Sequence, residues 1–199
     1  EILAIADQRP CGADVGHGEV DIYARISADN GATWSGTDDT PHNNTSDVIK
    51  IADGDSDCGY GDAAVVAHPT TGEVMVLSVG GSSVFGETKS SSNTYFVKRH
   101  YSSNYGRTWE TSDLTSQFKG SSSLLKSKDV GSMFFASGRI LLSKNPDTPG
   151  RIYAALLTSE NAKKIFSWSD KNYNYVFYSD DFGVNWNMLG SDYAIDSGD

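Results

Sequence analysis

The sequence predicts an all-β protein. Short runs rich in Val, Ile, Tyr and Phe recur along the whole chain and are separated by clusters of turn-forming residues. The 199 residues include 27 Ser, 13 Thr and 20 Gly, and 20 of the 26 acidic residues are Asp. Asp, Ser and Gly favour turns, whereas long helices favour Glu, Ala and Leu. No stretch of any length has helical periodicity.

Ten strands account for these apolar runs. Two of the connections between them have the composition of hairpin turns, at residues 69–72 and 145–150. Strand signals resume directly after each turn, so we expect one domain. The predicted strands are 2–6, 20–27, 48–51, 63–68, 74–79, 95–102, 133–136, 139–143, 152–158 and 174–179.

An eight-residue motif with the pattern S-x-[DN]-x-G-x-[TN]-W occurs three times, each time directly after an aromatic-rich strand. The copies span residues 27–34, 102–109 and 179–186, and their tryptophans are 75 and 77 residues apart. Three copies at nearly constant spacing exceed chance. The motif residues are Ser27, Asp29, Gly31 and Trp34, then Ser102, Asn104, Gly106 and Trp109, then Ser179, Asp181, Gly183 and Trp186.

Each motif position has a structural explanation. Asp or Asn accepts backbone N–H bonds in a tight turn, Gly supplies a positive φ, and Trp packs a large ring between sheets. The chain between successive copies has room for about four short strands, which is the size of one propeller blade. The sequence therefore predicts four-stranded antiparallel sheets packed like blades, and we assign the repeat to the scaffold.

Composition excludes several classes of function. The formal net charge is −10, which argues against nucleic acid or an anionic membrane face as the main partner. No stretch approaches the roughly 20 apolar residues of a membrane span. Cys11 and Cys58 fit no metal or redox spacing; one disulfide and two free thiols are both open. The acidic segment 53–57 lacks the Gly and Glu of a calcium loop, so we predict no EF-hand there and assign no metal ligands; a looser cation site stays open.

Beyond the repeat, three segments resemble the sialidase (neuraminidase) family of glycoside hydrolases, in which the motif is known as the Asp box. The first comprises residues 5–9 (IADQR), a polar loop with Asp14, and residues 19–25 before the first box. The second is residues 59–64 (GYGDAA), and the third is residues 134–140 (FFASGRI). The similarity extends along the whole chain and is greatest to secreted bacterial sialidases.

The resemblance implies a six-bladed β-propeller. Residues 1–199 would form about blades 1 to 3, truncated at both ends, so that the remainder of the same propeller is an expected partner. The resemblance also implies a Tyr nucleophile activated by a Glu, and three arginines that clamp the substrate carboxylate. We expect this nucleophile and this clamp outside the chain, which alone would then be inactive.

The resemblance assigns roles to three residues. Asp14, in the loop after the first strand, corresponds to the general acid/base. Arg9 corresponds to the arginine beside the 4-hydroxyl of the sugar, and Asp62 to the acid that binds the 4-hydroxyl and N-acetyl region. From the residues alone, Asp14 reads as a solvated acid in a turn and Asp62 as a turn cap; Asp7 and Arg9 could form a strand-end ion pair.

The expected activity is that of a retaining exo-α-sialidase. It would remove terminal α-linked sialic acids from glycoproteins, glycolipids and oligosaccharides, without a cofactor. The expected location is secreted, periplasmic or on a bacterial cell surface. Two alternatives are a trans-sialidase and a non-catalytic Asp-box propeller that binds a glycan or a protein.

Overall fold

The structure is a computed structural model that describes residues 1–10, 12, 14–36, 48–56, 58–82, 95–119, 123–125, 130–135, 138–160, 171–190 and 195–196. These residues form three sheets, antiparallel except for one short parallel pairing, and a single helical turn. The all-β prediction is confirmed. Cys11 lies outside the described residues, so the pairing of the two cysteines stays open, and Cys58 is half-buried.

The first sheet consists of β1 (Ile2–Gln8), β2 (Asp21–Ser27) and β3 (Ile49–Ala52) in that order. The register of β1 and β2 runs from Ile2 opposite Ser27 to Gln8 opposite Asp21. Among the described strands β1 pairs with β2 alone, and its exposure alternates along its length as expected for a strand with one covered face.

The second sheet contains β4 (Gly59–Ala67), β5 (Val74–Gly81), β6 (Tyr95–Ser102) and β7 (Glu110–Asp113). The turn predicted at 69–72 joins β4 to β5, and Gly72 adopts a φ of 81° in it. All eight residues of β5 are buried, because this sheet has a neighbouring sheet on each face.

The third sheet is built around β11 (Ile152–Glu160) and β12 (Lys171–Ser179). Two short segments, β8 (Val130–Phe135) and β10 (Leu141–Leu142), both pair with β11. On the other side, β13 (Asn187–Met188) and β14 (Ile195–Asp196) pair with β12.

The single strand predicted at 139–143 is wrong. Between β8 and β10 of the third sheet, the chain forms a two-residue strand, β9 (Gly138–Arg139), which pairs in parallel with β4 of the second sheet. Gly138 adopts a φ of 106°, and the Ile140 N–H donates to the Val65 carbonyl at 2.8 Å, so the chain bends towards β4 and the Ile140 side chain is buried. The pairing of β9 gives the second sheet five strands, so the expectation of uniform four-stranded sheets is also wrong.

Two hydrophobic cores lie between the three sheets, one at each contact between neighbouring sheets. The smaller core joins Ile22 of the first sheet to Val76 of β5. The larger core joins Met75 and Leu77, also of β5, to Phe177 of the third sheet. Alternate residues of β5 therefore face opposite neighbours, and the sheets stack side by side as propeller blades do.

The three Asp boxes follow β2, β6 and β12 and share one hydrogen-bond pattern. The Ser hydroxyl donates to the Asp or Asn side-chain oxygen over 2.7–2.9 Å and accepts the Gly N–H over 2.8–2.9 Å. The same side-chain oxygen accepts the N–H of the Thr or Asn before the Trp over 2.8–2.9 Å. The residue before each Gly also has positive φ; these residues are Asn30, Tyr105 and Phe182.

The box tryptophans differ in depth. Trp186 is buried in the larger core, Trp109 packs against the smaller core, and Trp34 is half-buried. The indole N–H groups of Trp109 and Trp186 donate to the box Gly carbonyls at 2.9 and 3.0 Å. All three boxes lie at the end of the sheets where β1 begins, since Ser27 pairs with Ile2.

Candidate functional site

The loop after β1 places Arg9 and Asp14 at the end of the sheets opposite the boxes. Two turns shape this loop: the Gly12 N–H donates to the Arg9 carbonyl at 3.0 Å, and the His17 N–H donates to the Asp14 carbonyl at 2.8 Å. These bonds fold the loop back over the end of β1. As a result, Arg9 and Asp14 lie side by side.

Asp14 is the most accessible acid of the site. Its side chain is 64% exposed, and its Oδ1 lies 3.1 Å from Nη1 of Arg9. The same oxygen accepts the Val15 N–H at 2.8 Å. The carboxylate is thus held on one side by a cation and an amide, while the other side is open to a ligand.

Asp7 lies on β1, two residues before Arg9, and its side chain is only 18% exposed. Its Oδ2 lies 3.6 Å from Nη2 of Arg9, so the guanidinium is placed between two carboxylates. Burial raises the pKa of Asp7, and a hydrogen bond from the Asp62 backbone and the charge of Arg9 act in the opposite direction.

Asp62 projects from a bulge in β4. The pairing with β5 goes from Gly61 opposite Val79 to Ala64 opposite Leu77 and skips the residues between. Asp62 adopts a φ of 56°, a left-handed conformation that costs a non-glycine residue about 1–2 kcal/mol. Its N–H donates to Oδ2 of Asp7 at 3.3 Å.

The electrostatics of Asp62 favour its protonated form. Burial, followed by the negative charges of Asp7 and Asp14, raises the pKa of Asp62 to about 6, against the lowering effect of Arg9. Two of the three carboxylates, those of Asp7 and Asp14, pair with the Arg9 guanidinium, and Asp62 feels its charge. Asp62 itself can therefore hold a proton when the pH is below about 6.

The structure brings Arg9, Asp14 and Asp62 into one cluster, as expected if they serve one site. The strand-end ion pair between Asp7 and Arg9 is also present, but Asp7 additionally contacts Asp62, which the sequence analysis missed. No local pattern in the sequence indicates this contact, because it depends on the bulge that places the Asp62 N–H beside Asp7.

The other candidate groups lie apart from this cluster. His100 is buried between Ser78 and Thr111, and the His68 ring accepts N–H bonds from Thr70 and Thr71. His42 lies outside the described residues. Within the described ranges, no group of three His, Cys, Asp or Glu side chains is arranged to hold a metal ion.

No helix in the described part of the chain is long and apolar enough to cross a membrane.

Comparison with known sequences finds one family. The model of the BNR/Asp-box repeat matches residues 177–188, which include the third box. No curated protein sequence matches the chain.

Solved structures of sialidases resemble the whole described fold. A Trypanosoma rangeli sialidase, in complex with 2,3-difluorosialic acid as a covalent intermediate, is 15% identical with a TM-score of 0.64, and the match covers 98% of this chain and 29% of that one. The intramolecular trans-sialidase of Ruminococcus gnavus, in complex with oseltamivir carboxylate, is 13% identical with a TM-score of 0.66, covering 98% and 58%.

The leech intramolecular trans-sialidase, complexed with 2,7-anhydro-Neu5Ac, is likewise 13% identical with a TM-score of 0.66, covering 98% and 42%. The chain therefore spans less than two thirds of each of these structures. Its fold is that of part of a sialidase β-propeller, and the described residues form three consecutive sheets without closing a ring. The predicted sialidase-type fold is confirmed.

Proposed function

We propose that this chain forms the acid/base side of the active site of a retaining exo-α-sialidase. The substrates are terminal α-linked sialic acids on glycoproteins, glycolipids and oligosaccharides. The observation that carries the proposal is the convergence of Arg9, Asp14 and Asp62 at one end of a sialidase-type fold. These are the residues to which the family resemblance assigns roles.

Asp14 is the proposed general acid/base. In the acid form it gives its proton to the aglycone oxygen while the glycosidic bond breaks, which leaves Asp14 as a carboxylate. That carboxylate then takes a proton from the water that releases the sugar, and the acid form is restored. The exposure of its side chain supports this role, because both the aglycone and the water must reach it.

Arg9 and Asp62 are the proposed contacts for the 4-hydroxyl and N-acetyl side of the sugar. The Arg9 guanidinium donates to hydroxyl oxygens, and Asp62 donates when protonated and accepts when ionised. The raised pKa of Asp62 makes both forms accessible near neutral pH. We assign the Tyr/Glu nucleophile and the arginine clamp to parts of the propeller outside this chain, on the basis of the resemblance.

The proposal extends to the protein's surroundings. Sialylated glycans are displayed outside cells, so a secreted, periplasmic or cell-surface location fits the substrate. The net charge of −10 does not oppose an acidic sugar, because the arginine clamp is assigned to the rest of the propeller. That remainder is the proposed structural partner.

The test uses the full-length gene product that contains this chain. Two substrates are compared: 4-methylumbelliferyl sialoside, whose leaving group needs little protonation, and 3′-sialyllactose, whose leaving group needs a proton. We expect Asp14→Asn to lower kcat for sialyllactose by about 100-fold or more and to affect the aryl sialoside less. The matched control is Asp147→Asn, in an exposed turn at the box end. Near-normal turnover of sialyllactose by Asp14→Asn would overturn the assignment.

Transfer is the second candidate, because two of the structural neighbours are intramolecular trans-sialidases. Analysis of the released sugar separates the outcomes. Free sialic acid supports hydrolysis, and an anhydro sugar or a sialylated acceptor supports transfer. Binding of sialosides without any turnover would instead support a non-catalytic propeller.

A further inference from the structure

We infer that Asp7 is a positioning residue of the proposed sialidase site, which aligns Arg9 and Asp62 for the same side of the sugar. The inference rests on the function proposed above. Asp7 itself is largely buried, so it acts on these two residues and not on the substrate.

A single oxygen of Asp7 contacts both partners. Oδ2 accepts the Asp62 N–H at 3.3 Å and lies 3.6 Å from Nη2 of Arg9. Arg9 belongs to the loop after β1, and Asp62 belongs to the bulge of β4 in the next sheet. The carboxylate therefore links the two sheets at the point where the proposed sugar contacts lie.

The contact with Asp7 holds the backbone of the bulge in β4. Asp62 is one of the residues that the β4–β5 ladder skips, and its N–H donates to Asp7. Gly61 allows the approach, since a Cβ there would lie 2.5 Å from Cγ2 of Val15 and 3.5 Å from Oδ2 of Asp7. With its backbone held by Asp7, Asp62 keeps the left-handed conformation that aims its side chain out of the strand.

Asp7 also determines the position of Arg9. The guanidinium contacts Asp7 through Nη2 and Asp14 through Nη1, so the two acids hold it from two directions. Without the Asp7 carboxylate, Arg9 is free to turn towards Asp14 and away from the 4-hydroxyl. A carboxylate that contacts a substrate-binding arginine, and not the substrate itself, is a general way to preorganise a site.

The experiment compares Asp7→Asn and Asp7→Ala in the full-length gene product, with Asp147→Asn as the control. Two aryl sialosides are used, one with the natural 4-hydroxyl and one with a 4-deoxy sugar. We expect Asp7→Ala to raise KM for the natural sugar by about tenfold with little change in kcat, and to change KM for the 4-deoxy sugar by less than about twofold. Asp7→Asn keeps an acceptor oxygen and is expected to lie between Asp7→Ala and the wild type.

Equal losses on both sugars would overturn the inference, because a purely structural defect does not distinguish them; unchanged KM values in both variants would also overturn it. If the wild type cleaves neither sugar, the proposed function fails instead. Amide hydrogen exchange then tests the link itself. Slow exchange of the Asp62 N–H in the wild type and fast exchange in Asp7→Ala would support it, and equal rates would refute it.

Discussion

Gly183 of the third Asp box packs directly against Met75 on β5 of the second sheet: a Cβ at position 183 would lie 2.8 Å from Cε of Met75. The second box repeats this relationship with the first sheet, since a Cβ at Gly106 would lie 2.7 Å from Cδ2 of Leu3. Leu3 and Met75 are equivalent, because each follows the residue paired with a box serine. The box glycines are therefore blade-to-blade contacts as well as turn residues.

We predict that Gly183→Ala lowers the free energy of unfolding by about 2–3 kcal/mol, because it adds a steric overlap to the strain of a φ of 90°. Gly150→Ala is the matched control. Gly150 has a φ of 78° but no atom within 4 Å of an added Cβ, so about 1 kcal/mol is expected. Urea denaturation measures both. Equal losses would mean that Met75 moves away at no cost.

The second box carries Asn where the first and third carry Asp, and this difference predicts which substitution the motif tolerates. In the first box, Oδ2 of Asp29 accepts the Thr33 hydroxyl at 2.6 Å. In the second, Nδ2 of Asn104 donates to the Thr108 hydroxyl at 2.8 Å. The hydroxyl reverses its role, and the turn is otherwise unchanged.

Asp29→Asn should therefore melt near the wild-type temperature at pH 7, and Asp29→Ala well below it. The hydrogen bonds from Thr33, with one from Ser27, lower the pKa of Asp29 to about 2. When folding lowers the pKa of an acid, the stability that the acid contributes is present above its unfolded pKa. That stability is lost as the pH falls through its folded pKa. Only the wild type should thus lose stability between pH 4 and pH 2, so that its melting temperature falls relative to that of Asp29→Asn, and a constant difference would contradict this account.

The sequence predicted the scaffold better than the strand details. The box pattern located the ends of β2, β6 and β12, because a turn with two positive φ values permits few residue types. It missed β7, whose four residues are polar and exposed and therefore carry no apolar strand signal, although β7 pairs with β6 along its length. It also joined β9 and β10, because the parallel pairing of Gly138 with Ala64 is a contact between sheets that local patterns do not encode.

The site was predicted in the same partial way. The resemblance assigned roles to Arg9, Asp14 and Asp62, and these three residues lie near one another in the structure; their roles stay a prediction. It did not identify the link between Asp7 and the Asp62 backbone, because this link depends on a bulge in β4. A bulge shifts the register by one position, and strand alternation in the sequence does not specify where that shift occurs.

A third prediction concerns His100, which is buried with Nε2 at 2.9 Å from the Ser78 hydroxyl and Nδ1 at 2.8 Å from the Thr111 hydroxyl. Burial, with a smaller effect from Lys98, lowers its pKa to about 4. The unfolded chain therefore binds more protons between pH 4 and 6.5. Stability from neutral His100 is complete above about pH 6.5 and is lost as the pH falls towards 4.

Histidine-selective ¹⁵N NMR at pH 5.5 measures this directly. We expect the His100 ring to remain neutral in the folded protein, with both nitrogens hydrogen-bonded, and the same histidine to be mostly protonated in urea. A protonated His100 in the folded protein at pH 5.5 would contradict the assignment.

The final prediction concerns Asp62, whose effect on stability has the opposite sign. Its pKa is raised to about 6, so the folded protein binds more protons than the unfolded chain between about pH 4 and 6. Stability from protonated Asp62 is complete below about pH 4 and is lost as the pH rises through 6. Asp62→Asn stays uncharged and avoids this loss. Between pH 4.5 and pH 7, the free energy of unfolding of the variant should rise relative to that of the wild type by up to about 2 kcal/mol.

Urea denaturation of both proteins at a series of pH values gives the difference curve, and Asp147→Asn, in an exposed turn, is the control substitution. Asp7 shares the environment of Asp62, and burial raises its pKa too. Because Asp62→Asn removes a negative charge near the Asp7 carboxylate, the pKa of Asp7 should fall. This change adds to the rise in the free energy of unfolding. A flat difference curve for Asp62→Asn would show that the folded and unfolded chains bind the Asp62 proton equally, and would contradict the raised pKa.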